Sequence, residues 1–237
     1  MESLIGEIMI NDMKKSIDPS QFGNKRNISI NNYLLKMINR IVSCLDENSK
    51  GAVNAVICLF VDYEAAFSRM CHTIGVNSFI ENGVRASLIP CLISYFEDRE
   101  MFVRWHGETS TRKKMPGSGA MGATFGILEF LSQTNNNSES IPIEDKFKYF
   151  DDLTTLEVVH LLNVGLTSLN VKNQIPSDLP IHGQFINKND LKSQKYLEEL
   201  NAWSENHQMV INQKKTKAMI FNFTHNYQLH TRLTLKN

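Results

Sequence analysis

At 237 residues, 42% of them hydrophobic, the chain is long enough for one large domain with a real core. Lys plus Arg equals Asp plus Glu at 25 each, so net charge gives no global field for nucleic acid, and any such binding must come from local patches. Cys44, Cys58, Cys71 and Cys91 show no CxxC spacing, which argues against a disulfide framework and for a reducing intracellular compartment, nucleus or cytoplasm. The opening "MESLIGEIMINDMKKSID" lacks a basic region followed by an apolar core. No run approaches the ~20 apolar residues of a membrane span, so neither a signal peptide nor a membrane partner is expected.

In chain order, "NNYLLKMINRIVSCLD" (31–46) carries a helical stripe at Leu34, Ile38, Ile41 and Leu45 behind an Asn cap. "NAVICLFVD" (54–62) holds an unbroken apolar run from Ala55 to Val61, the pattern of a central strand covered on both faces, and ends on Asp62. "RASLIPCLISYF" (85–96) reads as helix, with Pro90 marking a start or a kink. "EMFVRWHGETSTRKK" (100–114) reads as strand, polar turn, strand. The glycine-rich "PGSGAMGATFGILEFL" (116–131) passes into a helix, and "SQTNNNSES" (132–140) is a polar connection. "KFKYFDDLTT" (146–155) reads as a hairpin with two adjacent acids at its tip, and the stretch from about 160 to 188 is ill patterned. "LKSQKYLEELNAWSEN" (191–206) is a helix by Tyr196, Leu197, Leu200 and Trp203. "MVINQKKTKAMIFNF" (209–223) reads as two short strands around a basic turn. There is no internal repeat and no clean linker, and one α+β domain is the economical reading.

Asp151 and Asp152 pose the chemical question. Adjacent Asp residues suit a solvated turn. They also suit a divalent cation, which offsets their repulsion. If Asp62 and Asp151 end adjacent strands, three carboxylates converge, and two ions roughly 3.5–4 Å apart would serve an in-line displacement at phosphorus. From spacing alone both readings stay open. No GxSxG elbow is present, and the seven histidines have no ligand spacing.

Five stretches, "DPSQFGNKRNISI" (18–30), "FVDYEAAFSRM" (60–70), "GATFGILEFLSQTNNN" (122–137), "YFDDLT" (149–154) and "INQKKTKAMIFN" (211–222), follow one another in a telling order. In order and rough spacing they resemble the reverse transcriptase domain of non-LTR retrotransposons, most of all the copies frequent in cnidarian genomes. The resemblance runs from about residue 15 to the C-terminus. It implies an α+β right-hand palm, an antiparallel sheet backed by helices. It implies that residues 1–50 form a partial fingers segment and 51–237 the palm-type domain, with the thumb expected to be missing. It implies Mg²⁺ (or Mn²⁺) on Asp62, Asp151 and Asp152, and a primed RNA or DNA template with deoxynucleoside triphosphates as partners. Phe67 resembles the steric gate under the incoming sugar. Tyr63 and Glu64 would offer backbone amides to the triphosphate, and Lys215 resembles the lysine beside the leaving pyrophosphate. Gly119, Gly122 and Gly126 would let backbone approach the template and nascent pair. Gln21, Phe22 and Gly23 resemble a fingers motif lying against the template. Arg104, Arg112, Lys113 and Lys114 are candidates for phosphate contacts or for ordinary surface charge.

Three departures from the family pattern stand out. Ala120 and Met121 occupy the places of a Pro-Gln pair whose amide serves the template side, and methionine cannot reproduce the amide's hydrogen bonding. The strands that would grip the triphosphate are expected to be absent ahead of this chain, and the primer grip and thumb after it. Two functional readings follow: an RNA-directed DNA polymerase domain, or a catalytically inactive, truncated retroelement remnant that at most binds nucleic acid.

Overall fold

The computed structural model describes residues 1–25, 27–46, 52–115, 117–120, 122–162, 183–185, 191–222 and 228–230. The chain begins with helices α1 (Glu2–Met13) and α2 (Ile30–Asp46), strand β1 (Ala52–Val61), and helices α3 (His72–Glu81) and α4 (Ile89–Phe96). Four short strands follow: β2 (Glu100–Met101), β3 (Arg104–Trp105), β4 (Glu108–Thr109) and β5 (Lys113–Lys114). Then come α5 (Thr124–Gln133), β6 (Lys146–Tyr149), β7 (Asp152–Leu162) and β8 (Gly183–Phe185). The last elements are α6 (Lys192–Asn206), β9 (Lys217–Phe221) and β10 (Gln228–His230). No described helix is long and apolar enough to cross a membrane.

Two compact units interleave along the chain. A sheet unit comprises Ser20–Asp62, Ser140–Leu200 and Asn212–Asn237, and a helical unit Met1–Pro19, Tyr63–Glu139 and Asn201–Ile211. The expected boundary at residue 50 falls among residues outside the description, between α2 and β1 of the same unit. Most of the ill-patterned stretch, 163–182 and 186–190, also lies outside the described residues.

The sheet unit is built on an antiparallel sheet ordered β6-β7-β1-β9. β1 is central because its apolar run tolerates no water: Ala55, Val56, Ile57 and Cys58 are fully buried, and Leu59 and Val61 nearly so. On one face Val56, Cys58, Leu156 and Phe147 pack against Tyr33, Met37, Ile41 and Cys44 of α2. β7 also anchors α6: the Glu157 carboxylate accepts the N–H groups of Lys192 at 2.8 Å and Ser193 at 2.7 Å, capping orphan donors at the helix start.

The buried stripe of α2 corrects half of the expected one: Ile41 is buried and Leu45 packs against the core, but the first two positions differ. Leu34 and Ile38 are exposed at 38% and 50%, whereas Tyr33 and Met37 are buried. Both sets recur at i+4 along one helix, so periodicity alone cannot choose between them. The aromatic set wins because Tyr33 meets Phe22, Phe147 and Tyr149 edge-on or tilted, at ring distances of 5.9, 6.5 and 5.8 Å. The start of the helix is also read differently. Asn32 accepts the Ser29 backbone N–H at 2.8 Å and its hydroxyl at 3.0 Å, in the manner of a capping box.

The helical unit has its own core of Met9, Met13, Phe79, Val84, Leu92, Phe96, Phe125 and Leu128. Helix α1 supplies the two methionines; the sequence reading placed no element there. Pro90 sits in the first turn of α4 and so marks a start. The expected strand-turn-strand arm is a hairpin in which β2 pairs with β5 and β3 with β4.

The corrected stripe has a measurable consequence. Met37→Ala should cost about 2–5 kcal/mol in urea denaturation, and Ile38→Ala no more than about 1 kcal/mol.

Candidate active site

The register of the central strands decides which acids meet. β1 and β7 run antiparallel with Val61 opposite Leu153. Asp62 leaves β1 where Asp152 enters β7, so these two acids stand at one end of adjacent strands, whereas the sequence expectation named Asp151 as the partner of Asp62. β6 pairs with β7 through Tyr149 and Asp152, which leaves Phe150 and Asp151 as a two-residue connection. Phe150 is left-handed there, φ 56°, a conformation tight hairpins require and bulky residues resist by about 1–3 kcal/mol.

Lys215 is brought to the same place by the loop after Ile211. Asn212 N–H donates to Asp62 O at 2.8 Å, and Asp62 N–H donates to the Thr216 hydroxyl at 3.3 Å. Asn212 Oδ1 accepts the N–H groups of Lys214 and Lys215 at 3.1 and 3.2 Å, closing the turn. The backbone of Asp62 therefore holds the loop whose lysine reaches its carboxylate, with Nζ 3.6 Å from Oδ2. Asp62, Asp152 and Lys215 line a cavity of about 390 Å³ with Tyr33, Phe60, Val61, Leu153 and Thr154. Tyr33 and Thr154 share a hydroxyl–hydroxyl hydrogen bond of 2.8 Å. Asn212, Thr216, Tyr33 and Thr154 were not singled out from the sequence. Only the Asx-turn pattern of "NQKKT" could have pointed to the first.

Electrostatically the site lacks positive charge. Asp62 Oδ2 is buried without a hydrogen-bond partner, and Lys215 is largely exposed, 69%. Burial raises the pKa of Asp152, and Asp151 and Asp62 raise it further, against the opposing pull of Lys215. Among the described residues no three His, Cys, Asp or Glu side chains are clustered closely enough to hold a metal ion as they stand. Mg²⁺ nevertheless binds through one or two carboxylates completed by water and phosphate, and an orphaned carboxylate oxygen beside a second acid suits that chemistry. The residues fit a hard divalent cation.

Gln21 belongs to the sheet unit but does not lie open to a template. It is 5% exposed, and its Oε1 accepts the N–H groups of Gly23 at 2.9 Å and Phe150 at 3.2 Å. The "QFG" motif is thus bound up with the hairpin tip.

The other candidates lie in the helical unit. The Glu64 N–H is already donated to Val210 O at 2.8 Å, so this amide is not free for a triphosphate. Tyr63 is buried, and its hydroxyl accepts from Asn137 Nδ2 at 3.0 Å. Phe67 is half-buried on a 3₁₀ turn (Ala66–Arg69) and stacks on Phe130 at 4.8 Å. Of the glycines, a Cβ on Gly119 would meet Met70 and Phe67 side chains, and one on Gly126 the Ala120 backbone. Gly122 is left-handed at φ 83° and faces open space, the one that leaves backbone exposed. Met121 lies outside the described residues. Arg104 is exposed, 6.0 Å from the Phe102 ring; Arg112 lies 3.8 Å from Glu100 and Lys114 3.1 Å from Asp98.

No family model and no curated protein matches the chain. Among solved structures it is similar to apo telomerase from Candida tropicalis truncated from its C-terminal domain, at 12% identity and TM-score 0.57, over 94% of this chain and 40% of that one. It is similar to the apo telomerase of the same species at 13% identity and TM-score 0.53, over 93% of this chain and 36% of that one. A third similarity is to the same species' telomerase in complex with a TWJ fragment of telomeric RNA, at 12% identity and TM-score 0.57, over 92% of this chain and 33% of that one. The chain thus spans 33–40% of the length of these proteins. Telomerase is a reverse-transcriptase-related enzyme, and the chain has a reverse-transcriptase-like fold.

The charge imbalance predicts a pH effect. The folded pKa of Asp152 is raised, so the proton is held more tightly in the folded chain and ionisation destabilises it. Without divalent ions, Asp152→Asn should raise the melting temperature at neutral pH. The gain should vanish as pH falls below the unfolded carboxylate value of about 3.9, where both forms are neutral. Melting curves in chelator across the acid range check this.

Proposed function

We propose that the chain is the palm-centred part of an RNA-directed DNA polymerase of non-LTR retroelement type, adding deoxynucleotides to a primer 3′-hydroxyl. The observation that carries this reading is the β1–β7 register, which sets Asp62 and Asp152 at one sheet end beside Lys215. The similarity of fold to telomerase structures supports it, as does the order of the five sequence motifs.

Asp62, Asp151 and Asp152 are the residues that would hold Mg²⁺ or Mn²⁺. When bound, the ions would lower the pKa of the attacking hydroxyl and neutralise charge on the transferring and leaving phosphates. The chain's own contributions are positional. The sheet fixes the spacing of the acids, and the Asn212–Thr216 turn fixes Lys215 through the Asp62 backbone. Lys215 is exposed enough to turn from Asp62 toward a leaving pyrophosphate, where an ammonium offers charge and a proton. Phe67 would screen the sugar, and Gly122 and Arg104 would meet nucleic acid, with template RNA the expected partner. On this reading the sheet unit supplies the palm and the segment leading into α2 the remaining fingers.

The inactive-remnant reading is favoured by two observations. The Glu64 amide is engaged within its own unit, and Gln21 is spent on the hairpin. Primer extension on poly(rA)–oligo(dT) with Mg²⁺ or Mn²⁺ separates the two. An active chain should lose about a hundredfold or more with Asp152→Asn, and about a hundredfold with Lys215→Ala. A folded chain that extends nothing is the remnant.

A further inference from the structure

Phe150 is the least comfortable residue near the acids: a large aromatic side chain on a left-handed backbone, directly ahead of Asp151 and Asp152. The segment before α2 holds it there. Ser20 O accepts Lys148 N–H at 3.0 Å and Phe22 N–H donates to Lys148 O at 2.8 Å, so residues 20–22 run along the β6 edge. From that edge the Gln21 side chain reaches the tip, its Oε1 taking the Phe150 N–H at 3.2 Å. The same oxygen takes the Gly23 N–H at 2.9 Å, which fixes the side chain's own direction. Gly23 then provides the space: a Cβ there would stand 2.7 Å from Phe150 N and 2.9 Å from Phe150 Cδ2. No side chain fits at that distance, so the glycine is required by close approach.

We propose that Gln21 and Gly23 are positioning residues, a clamp that holds the Phe150 turn so that Asp152 enters β7 at the end of β1, within reach of Asp62. The inference rests on the metal-site reading above for its consequence, though not for its geometry. A side chain expected to face a template instead acts on the acids through the backbone of their turn. The same clamp explains why the hairpin accepts phenylalanine where a two-residue turn ordinarily takes Gly or Asn.

The test uses the full chain with Gln21→Met, which keeps length and removes the acceptor, and Gln21→Glu, which keeps an acceptor oxygen. Amide hydrogen exchange at Phe150 and Mn²⁺ titration by electron paramagnetic resonance are the two readouts. Q21M should speed Phe150 exchange about tenfold and weaken Mn²⁺ binding about three- to tenfold, while Q21E keeps Phe150 protected. Equal Phe150 protection in wild type and Q21M overturns the clamp, as does a loosened tip with unchanged Mn²⁺ affinity. If no form binds Mn²⁺, the metal reading has failed on its own, and Phe150 exchange alone decides the clamp. If Q21M does not fold, a wild-type Phe150 amide exchanging as fast as an unstructured turn overturns it, and a protected one supports it.

Discussion

The gathering of carboxylates at one end of the β1–β7 pair, Asp152 partly buried beside Asp151 and Asp62, is the constraint around which this sheet end is built. Antiparallel pairing of β1 with β7 is driven by apolar burial along Ala55–Val61, yet its register leaves two carboxylates at the same edge. The core thus imposes an unfavourable contact on the surface. Lys215 offsets part of it, at 3.6 Å and largely in water, where such a pair is worth little. What remains is a proton affinity at Asp152 raised by burial first and by Asp151 and Asp62 after it, and a buried Asp62 oxygen without a hydrogen bond.

The parts around the acids are coupled through backbone more than through side chains. Asp62 uses its N–H and C=O to hold the turn that carries Lys215. Phe150 uses its N–H to receive Gln21. The main chain fixes the positions of the carboxylates, and the Asp62 carboxylate keeps only its ion pair with Lys215. Tyr33 and Thr154, which line the cavity, hydrogen-bond to each other, so the polar groups left in its lining are the acids and the lysine.

Much of this was legible in the sequence, for physical reasons that differ from residue to residue. The apolar run of β1 is short and ends on an acid, which favours a doubly covered strand over a buried helix, and the paired acids between aromatic and β-branched stretches mark a hairpin. In α2 the expectation holds for Ile41 and Leu45 but not for Leu34 and Ile38, because the i+4 series led by Tyr33 lies one residue away and only its aromatic partners Phe22 and Phe147 distinguish it. Gln21 was assigned to a template, because nothing local shows that a strand edge carries its amide to Phe150, 129 residues away in sequence. Likewise the bond from Glu64 N–H to Val210 joins segments far apart in the chain. Pattern reads faces of elements; it does not read which long-range partner spends a given donor.

The most direct test is where a metal ion goes. In crystals of the chain soaked with Mn²⁺, anomalous scattering should place an ion bonded to carboxylate oxygens of both Asp62 and Asp152, with Lys215 displaced from its contact with Asp62. Anomalous density elsewhere, or none at saturating Mn²⁺ with Lys215 still on Asp62, contradicts the account.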